Sequence, residues 1–170
     1  MVALAEEIVE EWLNRKGYFT IRGIKIGVDE IDIIALKKLN NTFECRHIEV
    51  TASINPVSYI SKVPKAIRKS TGRAPNSAKR SDDELKEGVK EFIQKKFFDK
   101  RKINILRRLF PKDWSHELVV HEIKHPEELE LITKEGIRII QLRTILKEIN
   151  ENNIVPAAAG NDFINLINLR

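Results

Sequence analysis

Apolar side chains recur along this chain with two periods, and the switches between them mark out the elements. Val2, Ala5, Ile8, Val9, Trp12 and Leu13 repeat at helical spacing, and Gly17 follows them, so residues 2–16 are predicted to form an amphipathic helix. Three β-rich segments come next: Tyr18–Ile26, Ile31–Leu36 and Thr42–Ala52. Gly27 and Asn40-Asn41 supply the turns between them. Asn55-Pro56 has the form of an N-cap followed by proline at the first helical position, which predicts a helix to about Lys69, kinked or split at Pro64. Ser70–Ser81 is rich in Gly, Pro and Ser and reads as a mobile basic loop. Ser81 and Glu84 form a capping-box pair that opens an interrupted helical region reaching Phe110. A strand (Glu117–Ile123), a helix (Pro126–Glu135, ended by Gly136), a strand (Ile137–Leu142) and a helix (Thr144–Asn150) complete the pattern. The order predicts one α/β domain over residues 1–170, with helices packed around a mixed sheet.

Three of these segments hold a carboxylate where an apolar residue is expected. Asp32 sits inside IDIIAL and Glu49 inside HIEVTA. A lone carboxylate in such a run is costly to bury unless it is paired or bound to a cation. Strand alternation puts Glu30 and Asp32 on one side, and pairing of the second and third strands would bring Asp32 and Glu49 within reach of one ion. On the first helix Glu6 shares a face with Val2, Val9 and Leu13, whereas Glu7, Glu10 and Glu11 face outward. Glu6, Asp32 and Glu49 are therefore the candidate metal ligands, with Glu30 tuning the site. Carboxylate oxygens suit Mg2+ or Mn2+, and Mg2+ commonly retains waters for a substrate phosphate.

The charge distribution adds a partner. The net charge is +5, and no acid occurs between Glu49 and Asp82. That stretch holds Lys62, Lys65, Arg68, Lys69, Arg73, Lys79 and Arg80, and a second basic run extends from Lys95 to Lys112. A basic tract beside an acidic pocket fits a protein that grips phosphates and holds a cation, so nucleic acid is the expected partner. No window supplies the roughly 18 apolar residues needed for a membrane span. MVALAEEIVEEW has acids where a targeting signal would be basic, which predicts a cytoplasmic protein. Cys45 is the sole cysteine, which excludes an internal disulfide and a thiolate zinc cluster.

AEEIVEEWLNRKGY, GVDEIDIIAL and HIEVTAS together resemble the PD-(D/E)xK nuclease superfamily, in particular its RecB-like and archaeal Holliday-junction-resolvase-like branches. The resemblance covers residues 5–53. It implies a restriction-endonuclease-like fold and metal-dependent hydrolysis of DNA phosphodiesters, with Glu6 as the helix acid, Asp32 as the strand aspartate and Glu49 as the first residue of the E-x-K motif. It also makes a homodimer plausible by analogy. One position departs: Thr51 stands where the family has lysine. Threonine cannot supply a positive charge, so the resemblance implies either a lysine from elsewhere, with Lys62 and Lys65 the nearest candidates, or a chain that binds nucleic acid or a partner without cutting. His121, Glu122 and His125 spell H-E-x-x-H, the zinc metalloprotease pattern. The β-rich ELVV before it and Pro126 after it argue against the single helix that this chemistry requires.

Overall fold

In the computed structural model, residues 2–52 and 56–151 are described. They contain α1 (Val2–Arg15), β1 (Phe19–Ile26), β2 (Asp29–Leu39), β3 (Thr42–Thr51), α2 (Lys65–Thr71), α3 (Asp82–Lys96), α4 (Lys100–Leu109), β4 (Ser115–Val120), α5 (Pro126–Lys134), β5 (Arg138–Gln141) and α6 (Leu142–Glu151). Five strands form one mixed sheet in the order β1-β2-β3-β4-β5. The first three make an antiparallel meander, and β3, β4 and β5 run parallel. Parallel neighbours need long crossovers, and α2–α4 and α5 occupy them. The protein is thus α/β, a mixed sheet flanked by helices. No helix among the described residues is long and apolar enough to cross a membrane.

Each face of the sheet is closed by its own core. Ala5, Ile8, Val9, Trp12 and Leu13 of α1 pack with Ile145 and Ile149 of α6 over Ile33, Ala35, Ile48, Val50, Val119 and Ile140. Leu85, Val89 and Ile93 of α3 pack with Phe97 and Ile132 over Leu118 and Val120. A third cluster joins Ile26, Ile31 and Ile34 to Leu106 of α4. The capping box forms as the sequence predicts: Ser81 accepts from the Glu84 N–H, and Glu84 accepts from the Ser81 N–H. The two-residue turn joining β2 to β3 holds Asn40 at φ 48°, a conformation that asparagine tolerates better than most side chains. A buried ion pair spans β3 and β4, with Arg46 Nε and Nη2 at 2.9 and 2.5 Å from the two Glu117 oxygens.

The structure departs from the sequence reading between β3 and α3. Residues 53–55, including the expected cap Asn55, lie outside the described residues, as does the tail 152–170. From Pro56 onward the chain is irregular as far as Pro64, and helix begins only at Lys65. Backbone groups that a helix would use are taken elsewhere. Val57 bridges to Ile123, and the Ile60 and Ser61 N–H groups donate to the buried carboxylate of Glu128 at 2.7 and 2.8 Å. The basic loop is tied at two points: Arg73 pairs with Glu84, and Arg80 donates to Ser61 while its guanidinium lies 4.3 Å over the Tyr59 ring.

Candidate metal and lysine site

The antiparallel register of β2 and β3 pairs Ile33 with Ile48, so Asp32 and Glu49 are the next residues to meet. Both are buried, Asp32 at 4% exposure and Glu49 at 0%. Asp32 Oδ2 accepts the Val50 backbone N–H at 2.8 Å, which fixes its carboxylate against β3. Glu49 accepts from three donors. Lys102 Nζ and His47 Nε2 lie 2.5 and 3.0 Å from Oε1, and Lys96 Nζ lies 2.8 Å from Oε2. Lys96 Nζ is also 3.7 Å from Asp32 Oδ2, so this ammonium bridges the two strand acids. The two lysines enter from the last turn of α3 and the first turn of α4, with Phe97–Asp99 making the bend that aims both at the sheet.

A second group of acids meets at Asp32. One carboxylate oxygen each from Glu6, Glu30 and Asp32 lies within 4.8 Å of the others. Glu6 arrives from α1 and Glu30 from the start of β2, and both are half-buried. Lys25 forms an ion pair with Glu30 at the rim. This donor set suits a hard divalent cation: all oxygen, crowded, and partly open to water.

The electrostatics separate the two strand acids. Burial, together with the charge of Glu49, pushes Asp32 up to about 7, against the opposing pull of Lys96 and the Val50 N–H. Burial alone would raise Glu49 too. The His47 hydrogen bond and the charges of Lys96 and Lys102 outweigh it and hold Glu49 at about 2. Glu6 is raised by burial and by Glu30. Burial works against the Lys96 charge, but Glu49 and Asp32 overcome it and raise its pKa. These opposed environments keep Glu49 ionised and leave Asp32 able to gain or lose its proton near neutral pH.

Of the expected ligands, then, Glu6 and Asp32 come together, and Glu30 joins them as a full member. Glu49 stands beside the group with both oxygens engaged by protein donors. Thr51 ends β3 opposite Val120, half-buried. The expected substitute lysines require correction. Lys62 and Lys65 are exposed, and the Lys65 backbone N–H is held by Glu91. The cations that pair with the two strand acids are Lys96 and Lys102, and the segment 56–64, predicted to be helical, is irregular. The basic tract divides in two. Arg68, Arg73 and Arg80 are engaged by local carbonyls and Glu84, whereas Lys62, Lys65, Lys69 and Lys79 are exposed. The H-E-x-x-H segment does not form one helix: His121 and Glu122 follow β4 in irregular chain, and His125 precedes α5 with its ring stacked on Tyr59 at 4.1 Å.

Behind Glu49 lies a pair of histidines, His47 and His116, that the sequence pattern does not single out. His47 is fully buried and its Nδ1 is 3.1 Å from His116 Nδ1. Burial holds both rings toward their neutral forms, and His116, further disfavoured by His47, falls to about 4. Phe97 and Phe98 pack around the pair.

No family model matches this chain, and no curated protein matches it. Among solved structures, the crystal structure of a protein of unknown function, AF1548, aligns over 98% of this chain and 90% of its own length, with a TM-score of 0.49 and 12% identity.

Proposed function

We propose that this chain is a metal-dependent nuclease of the PD-(D/E)xK type acting on DNA, in which Lys96 supplies the charge that Thr51 cannot. The observation that carries the reading is the Lys96 ammonium, 2.8 Å from Glu49 and 3.7 Å from Asp32, beside three converging carboxylates. A positive group held there is in position to donate to a phosphate oxygen and to stabilise charge that develops on it. Glu49 orients Lys96, and Lys102, 3% exposed, neutralises what remains of the Glu49 charge. Asp32, Glu6 and Glu30 would hold Mg2+ or Mn2+. When bound, such an ion polarises the phosphoryl group and makes a coordinated water a better nucleophile. The exposed lysines 62, 65, 69 and 79 would contact the phosphate backbone and give salt-sensitive, sequence-tolerant affinity.

A second reading has its own support. Glu49 already accepts three hydrogen bonds from protein donors, which suits a chain that keeps the fold and binds DNA without cutting it. A plasmid-nicking assay with Mg2+ or Mn2+ separates the two. Cleavage that disappears in Asp32→Ala and Lys96→Met supports the nuclease. Salt-sensitive binding without cleavage supports the binding subunit, and equal cleavage by wild type and both variants identifies a contaminant.

A further inference from the structure

We propose that His116 is a positioning residue of this site: through the ring of His47 it fixes the Glu49 carboxylate, and Glu49 in turn holds Lys96 over Asp32. The protons can be placed by counting donors. An ionised carboxylate can only accept, so the 3.0 Å approach of Glu49 Oε1 to His47 Nε2 requires the proton to sit on Nε2. A neutral His47 then has a bare lone pair on Nδ1. The 3.1 Å approach of His47 Nδ1 to His116 Nδ1 needs one proton between the two nitrogens, and only His116 can provide it. The chain of donors is therefore His116 Nδ1–H to His47, and His47 Nε2–H to Glu49. The His47 ring cannot flip without breaking both bonds at once, inside a fully buried space.

The backbone enforces the arrangement. His47 and His116 are register partners on the parallel pair β3 and β4. Phe97, fully buried, meets His47 edge-on at 5.3 Å and His116 at 5.8 Å, and Phe98 meets His116 at 5.0 Å. Phe97 directly follows Lys96, so the rings that hold the histidines also set the end of the helix that delivers the ammonium. A histidine orienting a carboxylate, itself oriented by another group behind it, follows the logic by which positioned networks fix a tautomer and a direction.

The test is tautomer-resolved NMR of the 15N-labelled protein at neutral pH without metal, with His116→Asn and His116→Ala. Asparagine places its amide nitrogen near the position of Nδ1 and keeps a donor, and alanine removes it. Expected in the wild type are a neutral His47 with its proton on Nε2 and a neutral His116 with its proton on Nδ1. His47 should become a mixture of forms in His116→Ala and return to one form in His116→Asn. A His116 protonated on Nε2 alone, or a His47 unchanged in His116→Ala, overturns the proposal. A kinetic arm rests on the nuclease reading: kcat should fall about five- to tenfold in His116→Ala with KM unchanged, the worth of one hydrogen bond, and recover in His116→Asn. A protein with no cleavage but the expected ring states refutes the nuclease and supports the positioning role. Cleavage that is identical in all three proteins refutes the positioning role and leaves the nuclease standing.

Discussion

Replacing Asp32 with asparagine should stabilise the metal-free protein at pH 8 and leave it nearly unchanged at pH 4. Asp32 is buried and its carboxyl is pushed from the ordinary 3.8 to about 7. The folded protein therefore holds this proton more tightly than the unfolded chain does. Stability is fully present below the unfolded value and is lost as pH rises between 3.8 and about 7, because the unfolded state releases the proton first. At about 1.4 kcal/mol per pH unit, that interval comes to about 4 kcal/mol. The asparagine carries no charge to bury, and its carbonyl can keep the 2.8 Å bond from the Val50 N–H. The attraction between Asp32 and Lys96, 3.7 Å away, is already contained in the value of about 7. The expected advantage of Asp32→Asn is therefore about 2–4 kcal/mol at pH 8.

Urea unfolding in EDTA, followed by tryptophan fluorescence at pH 4, 5, 6, 7 and 8, measures this directly. The comparison of variant with wild type isolates Asp32 from Glu49, whose lowered carboxyl contributes in the opposite sense at lower pH, its stability being lost as pH falls toward about 2. Adding Mg2+ or Mn2+ at pH 8 should close the gap from the wild-type side, by about 2.7 kcal/mol at a hundred times the Kd. An advantage that stays flat across pH, or a wild type more stable than Asp32→Asn at pH 8, would refute the assignment of Asp32 as a carboxyl whose burial outweighs its partners.

Lys102→Met should cost about 3 kcal/mol in the same unfolding assay, since it leaves Glu49 buried with one ammonium instead of two; the double variant Glu49→Gln/Lys102→Met should recover part of that loss. Lys96→Met should cost less stability because its side chain is 31% exposed, yet should abolish any cleavage. Gly88→Ala should destabilise by about 1–3 kcal/mol, because a Cβ there would meet the Lys62 carbonyl oxygen at 2.6 Å; a neutral effect would mean that the 61–62 segment yields. Changing lysines 62, 65, 69 and 79 together to glutamine should flatten the dependence of DNA affinity on salt, by about 0.9 in the log–log slope for each phosphate that is no longer neutralised.

The elements that follow from local pattern were legible, and those set by distant partners were not. Alternation in IDIIAL and HIEV marked the strands and their lone acids, and the capping box at Ser81 opened α3 where expected. The Asn55-Pro56 signature failed because Glu128, far along the chain, takes the backbone donors of Ile60 and Ser61. A helical start signal is worth about 1 kcal/mol, and a buried carboxylate that needs hydrogen-bond donors outweighs it. A helix over 56–69 would make Lys62 and Lys65 the nearest cations in sequence, whereas Lys96 and Lys102, from the bend between α3 and α4, are the lysines paired with Glu49.

Yet the rule that singled out Glu6 also applied to the lysines that matter. Glu6 interrupts the apolar stripe of its helix. Lys96 lies three residues after Ile93 and seven after Val89, and Lys102 lies three before Ile105 and four before Leu106, so each sits on the buried stripe of its helix. A lysine in that position must find a carboxylate, just as Asp32 and Glu49 must find a cation, because neither charge can remain alone out of water. Two unmatched acids in the strands and two unmatched ammonium groups in the helices form a closed set: Glu49 meets both lysines, and Lys96 reaches on to Asp32. Glu6 and Glu30 crowd against Asp32 beyond that set, Lys25 pairs with Glu30, and a divalent ion held among the three carboxylates would relieve their mutual repulsion.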